Sequence, residues 1–170
     1  IENLVNEFSD FARMPKPILK NNDLIVILKE NIQLLKELDK SIEINFNYKD
    51  NEVIFNCDNE QLSRVFFNLI KNSIESIQQK IEKDNNNINK ITIELIDFDD
   101  HIKLIIVDTG IGFRNLKSKI KDILNPYFTT KKNGTGLGLS IVNKIINDHN
   151  GNIKFIPIHN GAKIEIIFVK

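Results

Sequence analysis

Apolar residues recur along most of this chain with one of two periods, and the switching between those periods outlines a fold. Leu24, Ile27, Leu28, Ile32, Leu35 and Leu38 keep the helical period behind Asp23, a side chain suited to an N-cap. Ile42, Ile44, Phe46 and Tyr48 then alternate with Glu43, Asn45 and Asn47, as in a half-buried strand, and Val53 to Phe55 reads as a short second strand. Helical spacing returns in Leu62, Val65, Phe66, Leu69, Ile74, Ile77 and Ile81, opened by Asp58 and Gln61 at capping-box spacing and ending near Lys83. The asparagine-rich stretch from Asp84 to Asn89 predicts a surface loop.

Two strands follow, Ile91 to Ile96 and Ile102 to Val107, joined closely enough for a hairpin; the second is an almost unbroken apolar run, which predicts a central strand. Leu139, Ile141, Val142, Ile145 and Ile146 form a further helix, closed by Asn150-Gly151 as a left-handed terminator. Ile153 to Ile156 and Lys163 to Val169 are closing strands. At the other end, Leu4, Val5, Phe8, Phe11 and Ala12 have helical spacing until Pro15 and Pro17 stop it. Between Asp108 and Gly138 both periods fail, apart from a weak helical stretch near Leu116 to Leu124. So long an irregular segment inside a compact domain is usually functional.

Composition narrows the classes. A chain of 170 residues suits one domain of ordinary size. Lys plus Arg is 23 and Asp plus Glu is 23, so no field of one sign steers the chain toward nucleic acid or an anionic membrane. A single cysteine, Cys57, excludes a disulfide framework and a thiolate zinc site and fits a reducing compartment. No apolar run approaches the roughly 20 residues of a membrane span. The chain opens on Ile1 and its one methionine is Met14, so it is read as a fragment.

Five of the seven glycines flank the irregular segment, at 110, 112, 134, 136 and 138. In Asp108-Thr109-Gly110-Ile111-Gly112 a carboxylate directly follows a buried strand, where it can cap a tight turn or accept a hydrogen bond from the exocyclic amine of a purine. In Gly134-Thr135-Gly136-Leu137-Gly138 three glycines run into a helix N-terminus, whose N–H groups and dipole attract anions. It is neither a P-loop nor a dinucleotide fingerprint, so phosphate binding competes with a plain hinge. Asn68 and Asn72 share a helix face with Glu75 a turn beyond; such a pair is either solvated or offers an amide oxygen to Mg²⁺.

Taken in order, Asn68-Leu69-Ile70-Lys71-Asn72, Asp108-Thr109-Gly110-Ile111-Gly112, Pro126-Tyr127-Phe128-Thr129-Thr130-Lys131 and Gly134-Thr135-Gly136-Leu137-Gly138-Leu139 resemble the N, G1, F and G2 boxes of the sensor histidine kinase catalytic domain, a branch of the gyrase, Hsp90 and MutL ATPase superfamily. The resemblance covers nearly the whole chain. It implies an α+β fold, a two-layer α/β sandwich with a mixed sheet of about five strands under three helices and a flexible ATP lid between the G1 and G2 boxes.

The resemblance also implies roles. Asn72 matches the Mg²⁺ ligand, Asn68 its polar neighbour near the phosphates, and Asp108 the adenine-selecting carboxylate above the turn of Gly110, Ile111 and Gly112. Phe128, followed by Thr129, matches the lid anchor, Lys131 or Lys132 a phosphate-facing cation, and the amides of Gly134, Thr135, Gly136, Leu137, Gly138 and Leu139 the triphosphate cradle. Asn68 and Lys131 are the candidate catalytic residues. The hydrolases carry glutamate where Asn68 stands, so phosphoryl transfer is favoured over hydrolysis. Two positions depart from the pattern: Glu75 replaces a common lysine or arginine, shifting phosphate neutralisation to Lys131, Lys132 or Arg64, and Gly161-Ala162 replaces Gly-Thr, leaving adenine selection more to Asp108.

Asn6 to Pro17 resembles the end of the second dimerisation helix of nitrogen-regulation sensor kinases. Residues 1–17 are therefore expected to end a dimerisation and phosphoacceptor hairpin, and residues 18–170 to form the ATP-binding domain. The acceptor histidine lies on a preceding helix of such kinases; His101, His149 and His159 read as surface histidines. The expected activity is ATP-dependent histidine phosphorylation for relay to a response regulator, in a homodimeric cytoplasmic parent that many family members anchor in the inner membrane. The fragment itself is expected to be mainly monomeric and to touch neither nucleic acid nor membrane. The rival readings are a non-catalytic nucleotide-binding interaction module and a serine kinase or ATPase of the same superfamily.

Overall fold

The computed structural model describes residues 14–81, 88–113, 120–129 and 135–170. The expected first helix and most of the Asn6 to Pro17 motif lie outside these residues, as do Lys131, Lys132 and Gly134.

The elements run β1 (Lys20–Asp23), α1 (Leu24–Lys36), β2 (Glu43–Tyr48), β3 (Ile54–Cys57), α2 (Asn59–Ile81), β4 (Lys90–Asp97), β5 (His101–Asp108), α3 (Gly138–Asp148), β6 (Gly151–Pro157) and β7 (Ala162–Val169). Five strands form one mixed sheet in the order β2-β4-β5-β7-β6. β2 runs parallel to β4 and every other neighbouring pair is antiparallel. α2 crosses the middle of the sheet over β4 and β5, with α1 on one flank over β2 and α3 on the other over β6. This is the expected two-layer sandwich, with β5 at its centre.

One apolar core fills the space between the layers. Its sheet side follows from the two-residue period: Ile91, Ile93 and Leu95 of β4, Ile102, Leu104 and Ile106 of β5, and Ile164, Ile166 and Phe168 of β7 point inward and are buried. On the helix side Leu62, Val65, Phe66, Leu69, Ile70 and Ile77 of α2 are each 0% exposed.

Four local features differ from expectation. β1 pairs antiparallel with β3 in a separate two-stranded ribbon. Its residues Lys20, Asn21, Asn22 and Asp23 carry no apolar alternation and gave no strand signal. Asp23 caps α1 as expected, and its Oδ1 accepts from the N–H groups of both Ile25 and Val53, so the cap also ties the ribbon to the helix. The described part of the expected helix near Leu116 to Leu124 is a single 3₁₀ turn, Ile120–Asp122. The left-handed residue that ends α3 is Asn150 (φ 54°), and Gly151 already belongs to β6.

The fourth concerns Asp58 and His149. Asp58 Oδ1 accepts from the Gln61 N–H, half of the capping box. The Gln61 side chain turns instead to the Pro15 carbonyl, and the Asp58 N–H donates to His149 Nε2. His149 is therefore not a surface histidine: it is 3% exposed, at the end of the apolar stripe of α3. Burial alone would raise the Asp58 carboxyl, but N–H groups of Ile18, Gln61 and Glu60 outweigh it and hold the carboxyl below its ordinary range.

Candidate functional site

Asp108 is positioned by strand parity. It follows Ile102, Leu104 and Ile106 at two-residue spacing, so the same pleat that buries those three turns a carboxylate into the core face at the end of β5, where it is 3% exposed. In register it lies between Ile91 and Ala162. One oxygen accepts from the Gly110 N–H at 2.9 Å, so the turn-capping role is real and leaves the group facing a cavity. Burial raises the Asp108 carboxyl above its ordinary range, against the pull of the Gly110 N–H, the Ser73 hydroxyl, the Ala162 N–H and the Lys80 charge.

The turn beyond Asp108 is built on close backbone approach. Gly112 has φ +66° and Gly161 φ +114°, conformations that favour glycine. A Cβ on Gly112 would overlap the Gly161 carbonyl oxygen, and one on Gly161 would overlap that of Asp108. Gly110 backs onto Ser76 of α2, whose carbonyl accepts from the Ile111 N–H at 3.3 Å.

The cavity holds about 570 Å³. α2 supplies one wall with Asn68, Asn72 and Glu75; β5 and the following turn supply Asp108, Ile111 and Gly112; Phe128, Thr129, Thr135, Gly136, Gly138 and Leu139 supply the rest of the expected set. Gly110 and Leu137 do not line it: Gly110 is pressed against α2, and the Leu137 side chain is 0% exposed in the core, so only its backbone can serve a ligand. Arg64 does not line it either; it lies in an adjoining groove that shares Asn68 and Gly138 with the cavity. Lys71 is the cation of α2 that lines the cavity itself, 3.9 Å from Glu75.

Within the irregular segment, Tyr127 meets Gly136. The Tyr127 N–H donates to the Gly136 carbonyl at 3.0 Å, and Gly136 (φ +71°) sits so close to the Tyr127 backbone that a Cβ would overlap it. Tyr127 itself has φ 68°, a strained conformation for a tyrosine. Beyond this contact α3 begins at Gly138 with Leu137 as N-cap and no side-chain cap, so the N–H groups of its first turn have no acceptor within the helix. A Cβ at Gly138 would meet nothing within 4 Å, so the glycine leaves that end of the cavity open.

Sequence reasoning missed two polar residues, each carried by a helical stripe that reads as core. Ser73 falls four residues after Leu69 and is 2% exposed on the cavity wall. His149 falls four after Ile145 and bonds to its carbonyl through Nδ1 at 2.7 Å. A polar residue at an apolar-stripe position is the signal that would have found both.

The arrangement suits an adenine nucleotide: a carboxylate for an exocyclic amine at the closed end, an uncapped helix terminus for phosphates at the open end, and amides between. Among the described residues no cluster of three or more His, Cys, Asp or Glu could hold a metal by itself. A cation here would therefore need oxygens from a ligand, which fits a hard ion shared between Asn72 and phosphates.

Comparison with known proteins agrees. The chain is 34% identical over 172 residues to a Rickettsia felis protein named sensor histidine kinase NtrY-like, covering 99% of this chain and 27% of that protein. It is 32% identical to the nitrogen regulation protein NtrY of Azorhizobium caulinodans, covering 98% of this chain and 21% of NtrY. The chain thus spans about a quarter of the length of these relatives. Among solved structures, the nucleotide-free catalytic domain of histidine kinase ThkA superposes with a TM-score of 0.75 at 27% identity, covering 89% of this chain and 95% of that domain. ThkA in complex with the response regulator TrrA gives a TM-score of 0.79 at 24% identity, covering 99% of this chain and 47% of that one. Residues 57–170 match the family described as histidine kinase-, DNA gyrase B-, and HSP90-like ATPase, and this chain belongs to that family.

Proposed function

We propose that residues 18–170 are the catalytic domain of a sensor histidine kinase of the nitrogen-regulation type, and that residues 1–17 end its dimerisation hairpin. The observation that carries this reading is the opposition of the buried Asp108 to the uncapped start of α3 across a cavity walled by Asn68 and Asn72. Asp108 would select adenine through its exocyclic amine. The amides at the start of α3, with Thr135 and Gly136, would cradle the triphosphate. Asn72 would hold Mg²⁺ through its amide oxygen, and the ion would neutralise charge on the phosphate oxygens. Asn68, Lys71 and the Lys131 cation would face the phosphates; positioning and charge neutralisation are most of what phosphoryl transfer requires.

In the transfer, the bond from the γ-phosphorus to the β–γ bridging oxygen breaks as a bond from an imidazole nitrogen forms, and ADP leaves. The acceptor would be a histidine outside this chain. None of the three histidines lines the cavity. His149 has both ring nitrogens engaged. His101 opens β5, seven residues from Asp108, which is about 23 Å along an extended strand. His159 lies in an exposed turn. Asn68, in the place of a water-activating carboxylate, supports transfer over hydrolysis.

The partner that would take the phosphoryl group next is a response regulator; ThkA, of the same fold, has been solved with one. No helix among the described residues is long and apolar enough to cross a membrane. We place the domain in the cytoplasm, where ATP and response regulators reside, as half of a homodimeric parent; Cys57 fits a reducing compartment, buried as a free thiol and pushed up to about 11 by that burial. Incubation with Mg-ATP labelled at the γ-position, with and without a separately prepared phosphoacceptor hairpin of the parent, tests the proposal. Acid-labile label on the hairpin alone is expected; label on this chain, or on neither, contradicts it.

A further inference from the structure

The stretch from Met14 to Leu19 belongs to no helix or strand, yet it is fastened to the domain. Pro15 and Pro17 fix their own φ angles and restrict Met14 and Lys16 before them, so the segment is stiff. Two of its backbone groups are held by the turn that opens α2. The Ile18 N–H donates to Asp58 Oδ2 at 2.8 Å, and the Pro15 carbonyl accepts from Gln61 Nε2 at 3.1 Å. Apolar burial contributes little to this attachment: Met14 packs partly buried against the core, but Ile18 is 70% exposed and Leu19 45%. Asp58 caps α2 through Oδ1 and holds the segment through Oδ2. Gln61 makes its bond to Pro15 while its own Oε1 is buried with no hydrogen-bond partner among the described residues, an arrangement that costs the fold stability.

The anchor point is rigid, because the Asp58 N–H is itself bound to His149 at the end of α3. From there α2 runs as a straight strut to Asn68 and Asn72, roughly 15 and 21 Å further on at about 1.5 Å per residue. Resting on the reading of residues 1–17 as the end of a dimerisation hairpin, we infer that Asp58 and Gln61 are positioning residues for phosphoryl transfer. They clamp the interdomain linker to the start of α2, and so fix where a hairpin-borne imidazole stands relative to phosphates beside Asn68 and Asn72. Without the clamp, residues 15–19 become free tether ahead of β1, with roughly 17 Å of added reach, and the productive orientation is visited less often.

Two substitutions cut the clamp and spare the fold. Asp58→Asn keeps an oxygen to cap α2 and turns its amide N–H groups toward the Ile18 N–H; Gln61→Met keeps the length of the side chain and loses the donor. Acid-labile label from γ-labelled ATP is measured in two formats: the intact parent kinase, where the linker joins hairpin to domain, and this chain mixed with the separate hairpin, where it does not. In the parent both variants are expected to slow labelling roughly three- to tenfold at saturating ATP, with KM for ATP unchanged. With the separate hairpin they should match wild type, which a general structural defect would not allow. Amide exchange of this chain reads the clamp itself: the Ile18 N–H should be protected in wild type and lose protection in Asp58→Asn, while the Gln61 N–H stays protected in both. Freely exchanging Ile18 in wild type, wild-type rates in both parent variants, or equal slowing in the two formats overturns the inference and leaves the nucleotide site standing. No label on the hairpin from wild type in either format overturns the kinase reading beneath it as well.

Discussion

The Asp58 backbone N–H donates to His149 Nε2 at 3.0 Å, joining the start of α2 to the end of α3 across the core. Nδ1 of the same ring lies 2.7 Å from the Ile145 carbonyl, so the proton sits on Nδ1 and the imidazole is a neutral bridge between two helix ends. His149→Ala would strand the Asp58 N–H and leave a void, while the Ile145 carbonyl keeps the backbone N–H of residue 149. It should lower stability by about 1–3 kcal/mol. Urea denaturation reads this as a lower midpoint; an unchanged midpoint would show that the bridge is dispensable.

Gly161→Ala and Gly138→Ala should fail in opposite ways. The first places a methyl group against the Asp108 carbonyl at a φ that L-residues rarely adopt, and should distort the end of β5 at a cost of roughly 2 kcal/mol or more. The second meets nothing within 4 Å, so the free protein should keep its stability or gain less than about 1 kcal/mol. Its new methyl group projects at the mouth of the cavity, and ATP affinity should fall. Melting curves and nucleotide titrations of the two variants distinguish the effects; a destabilised Gly138→Ala contradicts the geometry.

Asp108 couples the site to pH. Because burial raises its carboxyl, the group's contribution to stability is present below the unfolded value and lost as pH rises through the folded value. Above that folded value the protein carries a disfavoured buried charge. Asp108→Asn removes that charge and can still accept from Gly110, so there the free variant should melt at or above the wild-type temperature. Nucleotide affinity should move the other way, falling by about 1–3 kcal/mol with loss of the charge-assisted acceptor. In wild type, affinity should weaken as pH falls through the raised value, a step the variant lacks. Titrations across the acidic range that show parallel curves would refute the role of Asp108.

How far the sequence speaks depends on whether a residue's neighbours are near in the chain. The parity that buries Asp108 is visible in Ile102, Leu104 and Ile106, and the start of α3 in the glycines before Leu139. Asn68 and Asn72 are placed together by helical spacing alone. What stayed hidden arises from contacts distant in sequence. β1 is polar and is a strand only because β3 pairs with it. Gly112 needs its glycine because Gly161 arrives beneath it from the far end of the chain. Arg64 was grouped with the phosphate cations by its charge, but it points to the next groove, while Lys71, one residue before Asn72, lines the cavity.

The central claim is that this cavity binds a nucleotide with Mg²⁺ held by Asn72, and calorimetric titration with ADP tests it most directly. Wild type and Asn72→Ala are each titrated with and without Mg²⁺. Wild type should bind more tightly with the ion, and Asn72→Ala should lose most of that difference while keeping the ion-independent part that Asp108 supports. Magnesium dependence that survives the substitution would contradict the assignment of Asn72. No heat with millimolar ADP would contradict the nucleotide site itself, and the chain would then be a partner-binding module built on an ATPase fold.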